Sequence, residues 1–267
     1  MLYNRRMDFF LSRDWLNREP PYAFQWDHLV FIFFIIATAV GLSFLLYKKS
    51  RKTVEITLIA LWAFGFAVAI SYYVMTWVQS AQDPSGHPFN LEGDLPLHSC
   101  LMFFYVFPLA IFMKNKIVRT AASNFLVIVN MIMGFITLFV GCPPVGRSAF
   151  SYSGFQSLTY HGIIFIVPVL MLVTGYYDLK IKDIFYGLAA FGILGTAMWI
   201  FDHFSGCDYF YFYDGHTFPI LHEISDNVHH LVWTLLIVFC YVTTGVIIHF
   251  LVVGIKYLIH KKKAQSN

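Results

Sequence analysis

Residues 29–47 read LVFIFFIIATAVGLSFLLY, nineteen positions without a charge, and Lys48, Lys49, Arg51 and Lys52 follow at once. A helix needs roughly 20 apolar residues to cross a hydrocarbon core about 30 Å thick, so this stretch is predicted to span a membrane. Working outward from it, six further apolar segments meet or approach that length: Val54 to Val78, Leu95 to Met113, Ala121 to Val140, Thr159 to Tyr177, Ile184 to Phe204, and Leu231 to about Gly254. None has the short alternating pattern of a barrel strand. The expected fold is all-α, a polytopic bundle of seven transmembrane helices over residues 28–259, with an arm at 1–27 and a basic tail at 260–267. The first 27 residues lack an apolar core and carry Pro20 and Pro21, so the first helix is expected to act as its own insertion signal. Within the arm, Met7, Phe10, Leu11 and Trp15 fall at helical spacing and suit either an interfacial helix or a solvated arm.

Composition agrees. The chain is 58% hydrophobic and 12% charged, against about 25% charged in a typical soluble domain. That excludes a disordered chain, a disulfide scaffold and a nucleic-acid binder; membrane lipids are the expected partners, as surroundings and as substrate, and no oligomeric state is implied.

Lysine and arginine set the expected orientation. The connections after helices one, three and five hold Lys48, Lys49, Arg51, Lys52, Lys114, Lys116, Arg119, Lys180 and Lys182, and the tail adds Lys256, Lys261, Lys262 and Lys263. The opposite loops hold only Arg147. The N-terminus is therefore expected outside and the C-terminus in the cytoplasm, against the opposing vote of Arg5, Arg6, Arg13 and Arg18 in the arm.

This orientation puts nine of the eleven histidines on the outer side. At the loop positions His87 and His216, and at the inner His260, a snorkelling or helix-end role suffices. A polar group inside a span is costly and usually faces a cavity or a partner, which singles out His98, His161 and Cys100. With Asp94 as N-cap and Pro96 in the first turn, Cys100 is predicted about one and a half turns inside helix three, where the positive end of the dipole favours a thiolate. His98, two residues away, points to another face of such a helix. His161, at matching depth on helix five, is the better base. The plain alternative is a small buried cysteine that only packs. Cys142 and Cys207, in outer loops, are candidates for a disulfide by compartment, and Cys240 for packing.

A second constellation precedes helix seven. On a continuous helix His222, Asp226, His229 and His230 share a face and, with Asp202 and His203, form a ligand set for zinc. A polar collar around a cavity mouth explains the same residues.

The phrases Phe24-Gln25-Trp26-Asp27-His28-Leu29, Leu95-Pro96-Leu97-His98-Ser99-Cys100 and Tyr160-His161-Gly162 resemble the YwaF-like family of bacterial integral membrane proteins, over roughly residues 28–257. Where that family usually has Thr-Pro-Asp, this chain has Gly141-Cys142-Pro143-Pro144. The resemblance implies a bacterial plasma membrane and a distant relation to eukaryotic seven-helix phospholipid acyltransferases. Their proposed catalytic cysteine and histidine map by motif onto Cys100 and His161.

The leading expectation is acyl transfer or acyl hydrolysis in the outer leaflet. Cys100 would form an acyl-thioester, with His161 as base and acid and His98 as a donor to the oxyanion or headgroup, and no cofactor would be required. The alternatives are a zinc-dependent membrane hydrolase at the second constellation, and a carrier, sensor or assembly factor with a polar outer cavity.

Overall fold

A computed structural model describes residues 26–82, 89–91, 95–141, 152–213 and 219–265. The arm segment Met7 to Leu16, and with it His87, Asp94, Cys142 and His216, lies outside the described residues. The elements run α1 (Trp26–Leu46), α2 (Arg51–Gln82), α3 (Met102–Phe112), α4 (Lys116–Phe125), a π-helical turn (Leu126–Asn130), α5 (Met131–Ile136), a second π-helical turn (Thr137–Gly141), α6 (Tyr152–Val173), α7 (Asp183–Ser205), α8 (Pro219–Asn227) and α9 (His230–Gln265). No strand occurs among the described residues. α9 runs on through Lys261, Lys262 and Lys263 to Gln265.

Six of these helical stretches are long and apolar enough to cross a membrane: α1, α2, the run from α4 into the second π-turn, α6, α7 and α9. The expected third span is the exception. Of Leu95 to Met113 only the eleven residues of α3 are helical, rising about 16 Å, half of a hydrocarbon core. Residues 95–101 reach the start of α3 as irregular chain. Such backbone is tolerated at membrane depth where protein groups supply its hydrogen bonds. Here the Ser99 amide donates to the Tyr209 carbonyl at 3.0 Å, and the amides of Leu101 and Met102 donate to the His98 carbonyl at 2.8 and 3.2 Å.

The fourth span and α6 form the middle of the bundle, and most of their lengths are buried, whereas α1, α2, α7 and α9 leave most of theirs open. What those helices expose is apolar: Phe33, Phe44, Phe185, Ile193, Leu235 and Phe239 all face outward, a surface suited to lipid rather than water. Gly134 sets the spacing at the centre. A methyl group there would lie 2.9 Å from the His161 carbonyl oxygen and 2.9 Å from the Phe165 amide nitrogen, so only glycine lets α5 approach α6 this closely. That contact fixes α6 at His161 itself. At the basic end, Asn115 caps α4 by accepting from the amides of Ile117 and Val118.

The segment after α7 departs most from expectation. Its Cys207 was expected in an outer loop, but the chain turns at Gly206, which has φ +72°, and then buries Cys207, Asp208, Tyr209, Phe210 and Phe212. Asp202 Oδ2 accepts from the Tyr209 amide at 3.1 Å, and Asp208 Oδ1 from the Tyr213 amide at 3.2 Å. From α9, the Trp233 indole donates to the Tyr211 carbonyl and the Thr234 hydroxyl to that of Phe212. Residues 95–101 and 206–213 thus dock on each other inside the helices. The Tyr209 hydroxyl also donates to the Leu91 carbonyl, so it holds both ends of this arrangement.

Candidate functional site

Cys100 lies where the irregular segment turns into α3, immediately before the Leu101 cap, and not inside a helix as the apolar run suggested. It is half-buried, with a free thiol. Depth follows from its neighbours. Tyr160 is eight residues past Tyr152, the first residue of α6, and Tyr241 is eleven past His230, the first of α9. At 1.5 Å per residue the site lies about 12–16 Å below those helix starts, well within the span.

The thiol meets Tyr160 rather than His161. Cys100 Sγ and Tyr160 Oη are 3.8 Å apart, within hydrogen-bond reach for sulfur, and no hydrogen bond joins Cys100 to His161 among the described residues. The buried His161 ring instead lies against the Tyr160 ring, with centroids 4.0 Å apart and planes at 34°. Its Nδ1 contacts the Ser157 carbonyl at 2.8 Å and the Ser157 hydroxyl at 3.4 Å. A carbonyl only accepts, so the hydrogen sits on Nδ1 and the lone pair is left on Nε2. His98, two residues before Cys100, packs edge-on to Tyr209 with ring centroids 5.1 Å apart. Cys100, His98 and His161 are therefore brought into one region, with Tyr160 between the thiol and the imidazole.

Two further polar residues complete the region, and neither was singled out in the sequence. Asn130, the last residue of the first π-turn, is fully buried; its Nδ2 donates to the carbonyls of Ser99 at 3.2 Å and Cys100 at 3.3 Å. A π-turn adds a residue to the helical repeat and so swings the next side chain off its regular face; here that side chain reaches the backbone on which the thiol is mounted. An asparagine in the apolar run Val127-Ile128-Val129-Asn130-Met131 was the available signal. Tyr241, from α9, donates to Ser99 Oγ at 3.2 Å and contacts Met133 Sδ at 3.6 Å.

The amides leading into α3 are already engaged: those of Leu101 and Met102 on His98, those of Phe103 and Phe104 on Cys100 and Leu101. The helix start contributes its dipole to the sulfur, and the amides of Leu101 to Phe104 are not free to stabilise charge on a reacting carbonyl.

The second constellation loses its premise. α8 ends at Asn227 and α9 begins at His230, so no continuous helix carries His222, Asp226, His229 and His230 on one face. Asp226, His229 and His230 are exposed, and the His222 side chain lies outside the described residues. His230 stacks on Tyr213 at 5.9 Å, and His229 Nδ1 accepts from the Leu231 amide. Asp202 is committed to Tyr209, and His203 is exposed. Among the described residues no group of three His, Cys, Asp or Glu side chains is placed to hold zinc or another metal ion. Nor is Cys207 in a disulfide: it is a buried free thiol beside Ser205. Cys240 is exposed on the lipid-facing side of α9 rather than packed.

Residues 23–253, nearly the whole helical region, match one known family. The chain belongs to the TMEM164 family. It is thus an integral, multi-pass membrane protein of that family, and the polar region around Cys100 lies wholly within the matched residues. No curated protein and no solved structure matches the chain.

Proposed function

We propose that this TMEM164-family protein is a membrane-embedded acyl-transfer enzyme that works through a thioester on Cys100. The observation that carries the proposal is the Cys100–Tyr160 contact at 3.8 Å, set among His98, His161, Ser99, Asn130 and Tyr241 in the middle of an otherwise apolar bundle. Polar side chains at that depth are expensive, and six of them gathered around one thiol from four parts of the chain are more than packing requires. The likeness to the YwaF-like family, with the acyltransferase relation it implies, points to the same cysteine.

The substrate is a membrane lipid ester. Cys100 Sγ attacks its carbonyl, the lysolipid alcohol leaves, and the acyl group passes to a second lysolipid or to water. His98 is assigned as donor to the oxyanion or headgroup. The nine basic residues of the three short connections, from Lys48 to Lys182, lie at the end of the bundle away from the helix starts nearest Cys100, which supports a cytoplasmic location for that end. The N-terminus is then outside, and the site opens toward the outer leaflet of the cell membrane.

The test is turnover in phospholipid vesicles. Wild type is expected to move labelled acyl chains between phospholipid and lysophospholipid, or to release them, and Cys100→Ser and Cys100→Ala are expected to lose that activity while remaining folded. Undiminished turnover in both variants, or in a variant lacking both Cys100 and His161, would leave a carrier or sensor as the better account.

A further inference from the structure

The thioester proposal leaves one atom unplaced: the proton of the thiol. His161 is not positioned to take it directly, because the sulfur's hydrogen-bond partner is Tyr160 Oη and the His161 ring packs on the tyrosine ring. Charge is also a difficulty. A thiolate paired with an imidazolium would put two ions into a low-dielectric site about 12–16 Å below the helix starts, where each carries a large desolvation cost.

We propose that Tyr160 is a catalytic residue, a neutral two-way proton relay between the Cys100 thiol and the oxygen of the lipid alcohol. This rests on the thioester reading of Cys100. As Sγ attacks the ester carbonyl, the S–H proton passes to Tyr160 Oη, and the phenol's own proton passes to the departing alkoxide oxygen. A C–S bond forms, the ester C–O bond breaks, and Tyr160 ends as it began. Transfer to the acceptor runs in reverse: the acceptor O–H gives its proton to Oη as its oxygen attacks the thioester, and Tyr160 returns one to the departing sulfur. No charged intermediate on the protein and no external base are needed. A phenol suits this role because its single oxygen both donates and accepts. His161 is then a positioning residue. Held by Ser157 through Nδ1, it fixes the plane of the Tyr160 ring and so the direction of Oη.

The leaving group separates this role from a structural one. Protein in phosphatidylcholine vesicles is offered either an alkyne-tagged acyl chain in the phospholipid itself or the p-nitrophenyl ester of the same fatty acid, and the hydroxylamine-sensitive adduct on Cys100 is timed. Tyr160→Phe should slow acylation from the phospholipid by about 10²-fold or more, the usual scale of general acid–base catalysis. It should slow the p-nitrophenyl reaction about ten times less, because p-nitrophenolate departs without a proton. In wild type, a solvent deuterium isotope effect should be larger with phospholipid than with the p-nitrophenyl ester, a reading that does not depend on the variant folding. Equal slowing with both donors, no slowing, or equal isotope effects would overturn the relay while leaving Cys100 as nucleophile. Absence of any adduct on wild type from either donor would remove the thioester reading, and the relay with it.

Discussion

Replacing Asn130 by leucine tests how the thiol is mounted. Asn130 Nδ2 supplies the carbonyls of Ser99 and Cys100, at 3.2 and 3.3 Å, and the side chain is fully buried. Leucine is close in volume, so no large cavity opens; what changes is hydrogen bonding. Two buried carbonyls lose a donor, at about 1–3 kcal/mol each. Against this, Asn130 Oδ1 has no hydrogen-bond partner, and leucine removes that cost, again about 1–3 kcal/mol. Interhelical hydrogen bonds in membranes average only about 0.6 kcal/mol, which holds the balance to the low side. The net expectation for Asn130→Leu is a loss of about 1–3 kcal/mol, with a larger loss for Asn130→Asp, which turns an acceptor toward the same carbonyls. Reversible unfolding in mixed detergent micelles measures the first. Alkylation of Cys100 by a small neutral thiol reagent measures its consequence, and should accelerate as residues 95–101 loosen. Leucine and aspartate variants within about 0.5 kcal/mol of wild type, with unchanged alkylation, would refute the reasoning.

Two other predictions concern packing and pH. A methyl group at Gly187 would overlap Asn124 Oδ1 and lie 2.7 Å from Asn124 Cγ, so Gly187→Ala should destabilise by about 1–3 kcal/mol. That penalty should shrink in an Asn124→Ala background; a double-mutant cycle with purely additive losses would exclude the clash. At the basic end, Tyr176 donates to Glu55 at 2.9 Å and lies under Arg51, and burial, reinforced by Glu55, pushes its phenol up to about 12. Because the folded value lies above the ordinary one near 10, the contribution is full below about pH 10 and is lost as pH rises toward 12. Tyr176→Phe should flatten the stability curve across that window; an unchanged slope would count against the contact.

The spans were legible because burial in lipid demands length and apolarity, and both are written along the chain. α1, α2, the fourth span, α6, α7 and α9 all fall on their apolar runs. The half-length third span was not legible for a physical reason. Apolar composition reports where chain is buried, not whether its backbone is helical, and the groups that make irregular backbone affordable between Leu95 and Leu101 come from Tyr209 and Asn130, distant in sequence. The buried 206–213 segment had a signal: Tyr209-Phe210-Tyr211-Phe212-Tyr213 is too aromatic for a solvated loop. Depth in the spans was the ground for grouping Cys100, His98 and His161. The order of contact within that group, with Tyr160 on the sulfur, depends on how α6 is rotated by its close approach to Gly134, which no spacing rule reveals.

The measurement that bears most directly on the central claim is the intact mass of the protein after brief exposure to phospholipid of defined acyl chain, followed by peptide mapping. A single added acyl mass on the peptide carrying Cys100, removed by neutral hydroxylamine and absent from Cys100→Ser, is the predicted result. An unmodified Cys100 in protein that is nonetheless turning over lipid, or an acyl group mapped to another residue, would contradict it.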